Sequence, residues 1–283
     1  MSEGPPINDG PKSDGPMSRG TMSEGRLSTG PTTGDGAELP TDAGPLASVV
    51  IPTLQEGGYL RATLASLAEQ TYRRHEVLVV DGGSHDDTVA IAREFGVRVV
   101  QAPGSTLVTA RQLGAQAAGG SIVVSADADT RYPPDHLARV VAAFRADPHL
   151  VALGGVADFE PDPWWCRRIW SLTWALYAWI YRRTGRVVYV AALNLAYTRA
   201  AFERCGGYTL YHEAGGDEID ILRKLRRVGR VALDADLVAF PSSRRARTGF
   251  VSYYVRHGII GYSVAYLLAR RFRRVVLKYA VVR

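Results

Sequence analysis

From Ser48 onward, short runs rich in β-branched residues alternate with stretches of helical periodicity. Four such runs come early: SVVIPT (48–53), EVLVVDGG (76–83), VRVVQAP (97–103) and SIVVSADAD (121–129). Runs of this length are typical of buried strands, and their alternation with helices indicates βαβ units. The pattern therefore predicts an α/β fold with a mostly parallel, Rossmann-like sheet flanked by helices.

The remaining elements are predicted from the same periodicities. Helices are predicted at 56–70, 86–95, 107–118, from about 134 to 146, just before Gly206-Gly207, and at 217–228. Further strands are predicted at 150–156, across VVYVAALNLAY (187–197) and across VALDADLVAF (231–240). One or two arginine-rich amphipathic helices are predicted over 249–283.

Three segments differ in composition. Residues 1–45 contain no aromatic residue and have glycine at 10, 15, 20, 25 and 30, so we predict a disordered low-complexity tail there. Across all 283 residues, 46% are hydrophobic and 22% charged, enough for a sizeable core, which we place in a domain at 46–243. Residues 244–283 form the third segment.

The third segment contains the whole positive excess of the chain. Residues 1–45 have seven acidic and three basic residues, 46–243 have 21 of each, and 244–283 have ten basic residues and no acidic one. Only Lys12, Lys224 and Lys278 among the 34 basic residues are lysine. Arginine is the better bidentate partner for phosphate, although genomic base composition explains such a bias equally well.

Cysteine usage and hydropathy bear on the compartment. The two cysteines, Cys166 and Cys205, form no CxxC pair and no disulfide framework, which indicates a reducing environment. The N-terminus lacks the pattern of a signal peptide, and no apolar run reaches the roughly 18 residues of a spanning helix. We therefore expect a protein on the cytoplasmic side.

Polar residues directly after the predicted strands are the candidate site, because ligands bind beyond the carboxyl ends of strands in open α/β sheets. The candidates at these positions are Pro52, Thr53, Glu56, Asp81, Gly83 and Asp127. Arg111, on the helix predicted before the fourth strand, is expected to add a positive charge to the same pocket. Asp81 is suited to accept hydrogen bonds from a base or ribose, and Gly83 lets backbone approach a ligand. A plain strand-to-helix turn is the alternative for DGGSHDD, and a surface arginine the alternative for Arg111.

Asp127 and Asp129 are separated by one residue at the end of a predicted strand. If the strand persists, both carboxylates face one way, and like charges that close favour a bound cation. Carboxylate oxygens suit Mg²⁺ or Mn²⁺, which would also bind a diphosphate. A solvated turn rich in Asp is the alternative.

Four segments resemble the successive signatures of the family two glycosyltransferases, which have the GT-A fold. They are SVVIPTLQEGGYLRATLASLAEQ, VLVVDGGSHDDT, TARQLGAQAAGGSIVVSADADT and GGDEIDILRKLRRVG, and the resemblance covers about residues 46–240. It implies an inverting transfer of one sugar from a nucleotide-diphosphate sugar, UDP- or GDP-linked. It also implies a metal on Asp129, the last acid of the DxD motif, with Asp127 toward the donor ribose or sugar.

Two departures from the family pattern limit what the resemblance implies. Gly82 stands where the family often has a second acid, so Asp81 alone represents that motif. For the catalytic base, counting back from Gly229 selects Glu218, whereas counting back from Arg223 selects Asp217. Glu218 is favoured, and acid enrichment in a first helical turn is the alternative for both residues. The family's acceptor side falls near Asn194, which would otherwise satisfy buried backbone.

All five tryptophans lie between 164 and 179, with arginine pairs at 167–168 and 182–183. This pattern predicts an interfacial helix, because tryptophan prefers the headgroup level and arginine prefers anionic lipid; a buried core helix is the alternative. The basic tail repeats the pattern with an apolar run before Arg270 and Arg271. Nucleic acid competes as its partner, but the sustained apolar run favours lipid and argues against nucleic acid.

Together these features predict a metal-dependent, inverting glycosyltransferase, peripheral on the cytoplasmic face of the cell membrane. The expected acceptor is lipid-linked, of the polyprenyl or dolichyl phosphate type, or a membrane-proximal saccharide. A sugar-nucleotide nucleotidyltransferase is the alternative enzyme, although IPTLQEGG lacks the usual basic glycine-rich loop. A non-catalytic basic membrane-binding module is the alternative without chemistry, and it leaves the acids at 127, 129, 217 and 218 unexplained.

Overall fold

The computed structural model describes residues 44–159, 164–210 and 216–244, together with residues 267, 271 and 272. The tail predicted at 1–45 lies outside this part of the chain except for its last two residues. The amphipathic helices predicted at 249–283 lie outside it except for the three isolated positions.

The described residues form seven α-helices and eight strands in an alternating order. The strands are β1 (Ala47–Thr53), β2 (His75–Asp81), β3 (Arg98–Gln101), β4 (Ile122–Ser125), β5 (Thr130–Arg131), β6 (Leu150–Ala157), β7 (Leu195–Thr198) and β8 (Arg230–Pro241). The helices are α1 (Gly57–Ala68), α2 (Thr88–Glu94), α3 (Leu107–Ala117), α4 (His136–Ala146), α5 (Trp164–Thr184), α6 (Arg199–Arg204) and α7 (Asp217–Leu225). A short 3₁₀ turn at Ala192–Asn194 precedes β7.

The strands join into one sheet in the order β3-β2-β1-β4-β7-β6-β8-β5. Strands β1 to β4 pair in parallel, and β6 pairs in parallel with β8. Strand β7 is antiparallel to both β4 and β6, so β6 and β8 point the same way as the first four strands. The predicted α/β class with a mostly parallel sheet is confirmed.

Both faces of the sheet are covered, as the continuous apolar strands require. Val49 and Ile51 of β1 belong to a core cluster that includes residues of α1 and α4, whereas Val50 belongs to a second cluster with residues of α3 and α7. This alternation follows from the two-residue period of a strand. Because β1, β2, β4, β6 and β8 all run in the same direction, their carboxyl ends lie at one common edge of the sheet.

The prediction of a strand across 187–197 is wrong for most of that segment. Only Leu195–Thr198 pairs as a strand, while Val187 and Val190 are buried in the core without a ladder. An apolar run can thus satisfy burial through irregular backbone, which periodicity alone does not reveal. The predicted helix at 217–228 ends at Leu225, and the two-residue β5 was not predicted.

The tryptophan-rich segment forms α5, a helix of 21 residues. Within the described part of the chain, no helix combines the length and the apolar character needed to cross a membrane.

Candidate active site

Loops that follow β1 and β2 lie side by side at the carboxyl edge and are joined by hydrogen bonds. The side-chain oxygen of Gln55 accepts from the backbone N–H of His85 at 2.7 Å, and Thr88 Oγ1 accepts from the N–H of Glu56 at 2.8 Å. Gln55 has a φ of 59°, a left-handed conformation that is uncommon outside glycine. The two loops therefore form one preorganised wall of the edge.

Asp81 is buried at the end of β2, and its carboxylate accepts from the backbone N–H groups of Gly83 and Ser84 at 3.1–3.2 Å. Gly83 adopts a φ of 100°, which favours glycine and folds the loop back on this carboxylate. Thr53 donates its hydroxyl to the Val80 carbonyl at 3.3 Å. Pro52 pairs in register with the same Val80. These four candidates therefore share one end of β1 and β2.

Arg111 is the centre of a buried charge cluster, not a surface residue. One guanidinium nitrogen contacts Asp127 Oδ1 and another contacts Asp217 Oδ2, each at 2.7 Å. Helix α3 lies close enough to the sheet for this because Gly114 faces Val50 and Val80, where a Cβ would collide. Burial lowers the pKa of Arg111, but the charges of Asp217 and Asp127 outweigh it and hold that pKa well above its ordinary value.

A second arginine cluster lies at the same edge, around Arg244. Its guanidinium donates to both carboxylate oxygens of Glu56, at 2.6 and 2.8 Å, and its Nε lies 3.0 Å from Asp129 Oδ2. The same group lies over the ring of Tyr59, 4.5 Å from the centroid. Burial lowers the pKa of Arg244, but Glu56 and Asp129 hold it above its ordinary value.

Sequence reasoning missed Arg244 and counted it only among the ten C-terminal bases. Its position depends on β5, which pairs Thr130 with Pro241 and lets the Ser242 N–H donate to the Asp129 carbonyl at 2.8 Å. One signal was available in the sequence. Arg244 follows a predicted strand closely, and the rule that ligands bind beyond carboxyl ends applies to bases as well as acids.

The two acids of the DxD motif have different partners. Strand β4 ends at Ser125, so the condition under which both carboxylates would face one way is not met. Asp127 pairs with Arg111, and Asp129 pairs with Arg244. An arginine cation thus lies beside each carboxylate. These arginines offset the repulsion between Asp127 and Asp129, which the sequence analysis expected a metal ion to offset.

Asp129 and its surroundings nevertheless suit a hard divalent cation. Within the described residues, no group of three or more His, Cys, Asp or Glu side chains could enclose a metal ion. Mg²⁺ is commonly held by one or two carboxylates plus the phosphates of the substrate, and it keeps several waters. The carboxylate chemistry here fits a metal that arrives with a diphosphate, and does not fit an all-protein cage.

The acids at the start of α7 are all buried but have different contacts. Asp217 is held by Arg111, as described above. Asp220 accepts from Arg223 at 2.8 Å and from the hydroxyl of Thr209. Glu218 contributes to the raised pKa of Arg111, which places its carboxylate in the same electrostatic environment. Asp217 and Asp220 thus pair with different arginines.

Asn194 is buried, and its amide donates to the carbonyls of Val156 and Leu237 at 2.8 Å each. These bonds tie β6 to β8 beside Gly155, where a Cβ would collide with the Asn194 amide. The amide N–H groups thus satisfy buried backbone, which was the alternative reading of this residue.

Comparisons with known proteins indicate the family and the fold of the chain. The model of a protein family described as glycosyl transferase family 2 matches residues 48–212. An undecaprenyl-phosphate 4-deoxy-4-formamido-L-arabinose transferase from Sodalis glossinidius is 33% identical over 156 residues, which is 50% of this chain and 45% of that protein. A PGL/p-HBAD biosynthesis glycosyltransferase from Mycobacterium tuberculosis is 38% identical over 108 residues, 35% of this chain and 42% of that protein. The matches thus span less than half of each relative.

Two solved structures share the fold. A mannosyltransferase from Pyrobaculum calidifontis, in complex with GDP-Man and Mn²⁺, has a TM-score of 0.61 at 22% identity over 82% of this chain and 66% of that one. The S. aureus protein TarS (1–349), in complex with UDP, has a TM-score of 0.58 at 19% identity over 69% of this chain and 60% of that one.

Proposed function

The chain belongs to glycosyl transferase family 2, and we propose that it transfers a sugar from a nucleotide-diphosphate sugar to a lipid-linked acceptor, with inversion. Its α/β sheet is of the GT-A type. The observation on which the proposal rests is the convergence of Asp81, Asp127, Asp129 and the acids of α7 on the carboxyl edge of one sheet, with Arg111 linking Asp127 to Asp217. The catalytic domain in this proposal is 46–243 with Arg244 added to it, and the rest of the predicted basic tail, 245–283, associates with membrane.

The donor would lie across the ends of β1, β2 and β4. Asp81 and the backbone of Gly83 would face the nucleoside, with Pro52 and Thr53 supporting the loop. Asp127 would approach the ribose or sugar, because Arg111 fixes one of its oxygens and leaves its side chain about a third exposed (32%). A UDP- or GDP-linked sugar is proposed because the two structural relatives bind UDP and GDP-Man.

Asp129 would hold Mg²⁺ or Mn²⁺, and a mannosyltransferase of the same fold was solved with Mn²⁺. When bound, such a cation neutralises the charge that develops on the departing diphosphate. Arg244 lies 3.0 Å from the Asp129 carboxylate and would have to yield that oxygen to the metal. Glu56 and the face of Tyr59 would keep the guanidinium beside the site, where it can meet donor phosphate.

Glu218 is the proposed general base and Asp217 its positioning neighbour. The Arg111 guanidinium holds Asp217 Oδ2 at 2.7 Å, so we assign Asp217 to fixing Arg111 and the acceptor proton to its neighbour. Glu218 would take the proton of an acceptor hydroxyl as the acceptor oxygen bonds to the anomeric carbon. The bond from that carbon to the diphosphate breaks on the opposite face, which inverts the configuration.

The acceptor is proposed to be a polyprenyl phosphate or a membrane-proximal saccharide. The Sodalis glossinidius relative is named as an undecaprenyl-phosphate 4-deoxy-4-formamido-L-arabinose transferase, which supports the first. A phosphate oxygen reaches the site already ionised and needs no base, whereas a saccharide hydroxyl needs Glu218. Asn194 would define the acceptor side by holding β6 to β8. Such an acceptor places the enzyme peripherally on the cytoplasmic face of the membrane, with no role for nucleic acid.

The test is a donor-hydrolysis and transfer screen over UDP- and GDP-sugars with Mg²⁺, Mn²⁺ or EDTA. We expect turnover with one donor, its loss in EDTA, and its loss in Asp129→Asn. Glu69→Gln, on the exposed end of α1, is the matched control and should behave like wild type. Full activity in EDTA would overturn the metal assignment, and diphosphate release from a nucleoside triphosphate plus a sugar phosphate would identify a nucleotidyltransferase.

A further inference from the structure

Helix α5 exposes apolar side chains where a solvated helix normally has polar ones. Leu172 is 65% exposed, and Leu176 and Trp179 are each 52% exposed. Their spacing of three and four residues places them on one face, which we call the outer stripe of α5 (Leu172, Leu176 and Trp179). Contiguous exposed apolar surface of this kind marks an interaction site.

The opposite face of α5 holds the helix on the protein. Cys166, Trp174 and Ala178 are buried, and Trp174 packs with Val156 and Ala157 at the end of β6. The Trp174 ring lies 5.9 Å from the ring of Trp170 and 5.9 Å from that of Tyr189. Trp174 is therefore a core residue with Trp170 partly buried against it, and the outer stripe takes no part in this packing.

The charges around the outer stripe select its partner. Arg167 and Arg168 precede it, Arg182 and Arg183 follow it, and all four are exposed. The sequence from 164 to 202 contains no acidic residue. An apolar centre between two arginine pairs complements the phosphates and acyl chains of an anionic lipid surface, whereas a protein partner would need an acidic rim around an apolar centre.

The position of α5 relates this surface to the site. The helix packs near Val156, Ala157 and Val238, toward the carboxyl ends of β6 and β8. Those two strands point the same way as β4, so α5 lies at the edge on which the acids converge. A bilayer in contact with the outer stripe would thus present its headgroups at the edge where the proposed acceptor must enter.

We propose that the outer stripe of α5 is a membrane-docking surface that lies flat in the interface of an anionic bilayer. Trp179 and the two leucines enter the boundary between headgroups and acyl chains, and the flanking arginines contact lipid phosphates. The inference extends the proposed function by naming the surface that brings the enzyme to a lipid-linked acceptor. Its evidence is the exposure and charge of α5, so it does not depend on catalysis.

The decisive measurement is quenching of tryptophan fluorescence in the full chain by vesicles of anionic lipid with brominated acyl chains. Wild type and Trp179→Phe are compared, and the difference between them reports Trp179. We expect Trp179 to be quenched while the buried Trp174 is not. Absence of quenching at Trp179 would overturn the proposal, whatever the basic tail contributes to binding.

Co-sedimentation gives a second readout at roughly 0.5 M salt, where attraction by exposed charges is screened. Leu172→Gln/Leu176→Gln/Trp179→Gln should bind anionic vesicles about tenfold or more weakly than wild type. Leu107→Gln/Leu113→Gln, which alters exposed leucines of α3, is the matched control and should bind like wild type. All variants should keep the wild-type thermal midpoint because the altered side chains are exposed.

Two further outcomes separate this inference from the function. If the triple variant binds vesicles normally but changes the oligomeric state, the outer stripe is a protein interface and the proposal fails. Donor hydrolysis should be unchanged in the triple variant. Quenching of Trp179 in a wild-type protein that processes no nucleotide sugar would refute the proposed function and leave the docking surface standing.

Discussion

Arg111 and Arg244 each bind two carboxylates at the same edge of the sheet, but at different depths. The side chains of Arg111 and Asp217 are 4% and 5% exposed, although that of Asp127 is 32% exposed. Those of Arg244, Glu56 and Asp129 are all 15–18% exposed. Arg111 belongs to α3, which packs on the sheet, and Arg244 follows β8 near the end of the described segment. The comparison indicates that the Arg111–Asp217 pair of the inner cluster is part of the core and that the outer cluster can rearrange for a ligand.

The difference has a physical origin. Charges removed from water need a permanent partner, because breaking a buried pair leaves an uncompensated charge. A charge near the surface can be solvated when its partner leaves, so exchange of that partner costs less. A site for a metal and a diphosphate needs both kinds of pair. Arg111 keeps Asp127 and Asp217 in place, whereas Arg244 can release Asp129 to the metal.

The largest expected effect is on stability, at the inner cluster. Arg111→Met should lower the free energy of unfolding by about 3–5 kcal/mol, because Asp217 is left as an unpaired charge inside the protein. Arg244→Met should cost less, about 1 kcal/mol, since Glu56 and Asp129 each keep 15% of their side-chain surface in contact with water. Urea unfolding of both variants at pH 8 measures the contrast. Equal losses would remove the distinction between the two clusters.

Acid sensitivity should originate outside both clusters, at His136 on α4. Burial lowers the pKa of His136 from 6.5 to about 4. Between those values the unfolded chain binds more protons than the folded one, so stability present above pH 6.5 is lost as the pH falls toward 4, by about 3 kcal/mol. His136→Phe should flatten urea-derived stability across this range. An unchanged slope would point to the carboxylates of the arginine clusters instead.

The comparison also predicts different phenotypes for Asp217 and Glu218, two of the three acids of α7. With a hydroxyl acceptor, Glu218→Gln should lower turnover by roughly 10² or more at an unchanged thermal midpoint. Asp217→Asn should lower the midpoint, because Arg111 loses a buried partner. With a polyprenyl phosphate acceptor the Glu218→Gln loss should shrink. The assignment is reversed if Asp217→Asn alone loses turnover and keeps its midpoint.

The smallest effect is expected in metal binding at the outer cluster. Removal of the cation beside Asp129 in Arg244→Met should tighten Mn²⁺ binding without donor by roughly three- to tenfold, or about 1 kcal/mol. Titration calorimetry measures the affinity directly. Arg244→Lys keeps the charge and should resemble wild type, as should Arg61→Met, which breaks the exposed pair with Glu94. Unchanged Mn²⁺ affinity in Arg244→Met would show that Arg244 does not compete for Asp129.

The sequence by itself determined the α/β order and the positions of most strands and helices. The runs at 48–53, 76–83 and 121–129 each contain a strand, and the acids after them lie at the predicted edge. Periodicity predicts these elements correctly because each one buries its own apolar face, and the spacing of apolar residues over a few consecutive positions reveals that face. It failed at 187–197, where Val187 and Val190 are buried without forming a strand.

Only the tertiary structure decided the partners. Arg111 meets Asp217 across 106 positions, and Arg244 meets Glu56 across 188. It also decided that Trp174 is core while Trp179 faces outward, although both lie on one helix. A local pattern specifies which residues need burial or a counter-charge. The partner is set by how the elements pack in space, because a charge is satisfied by whichever opposite charge the fold brings within reach.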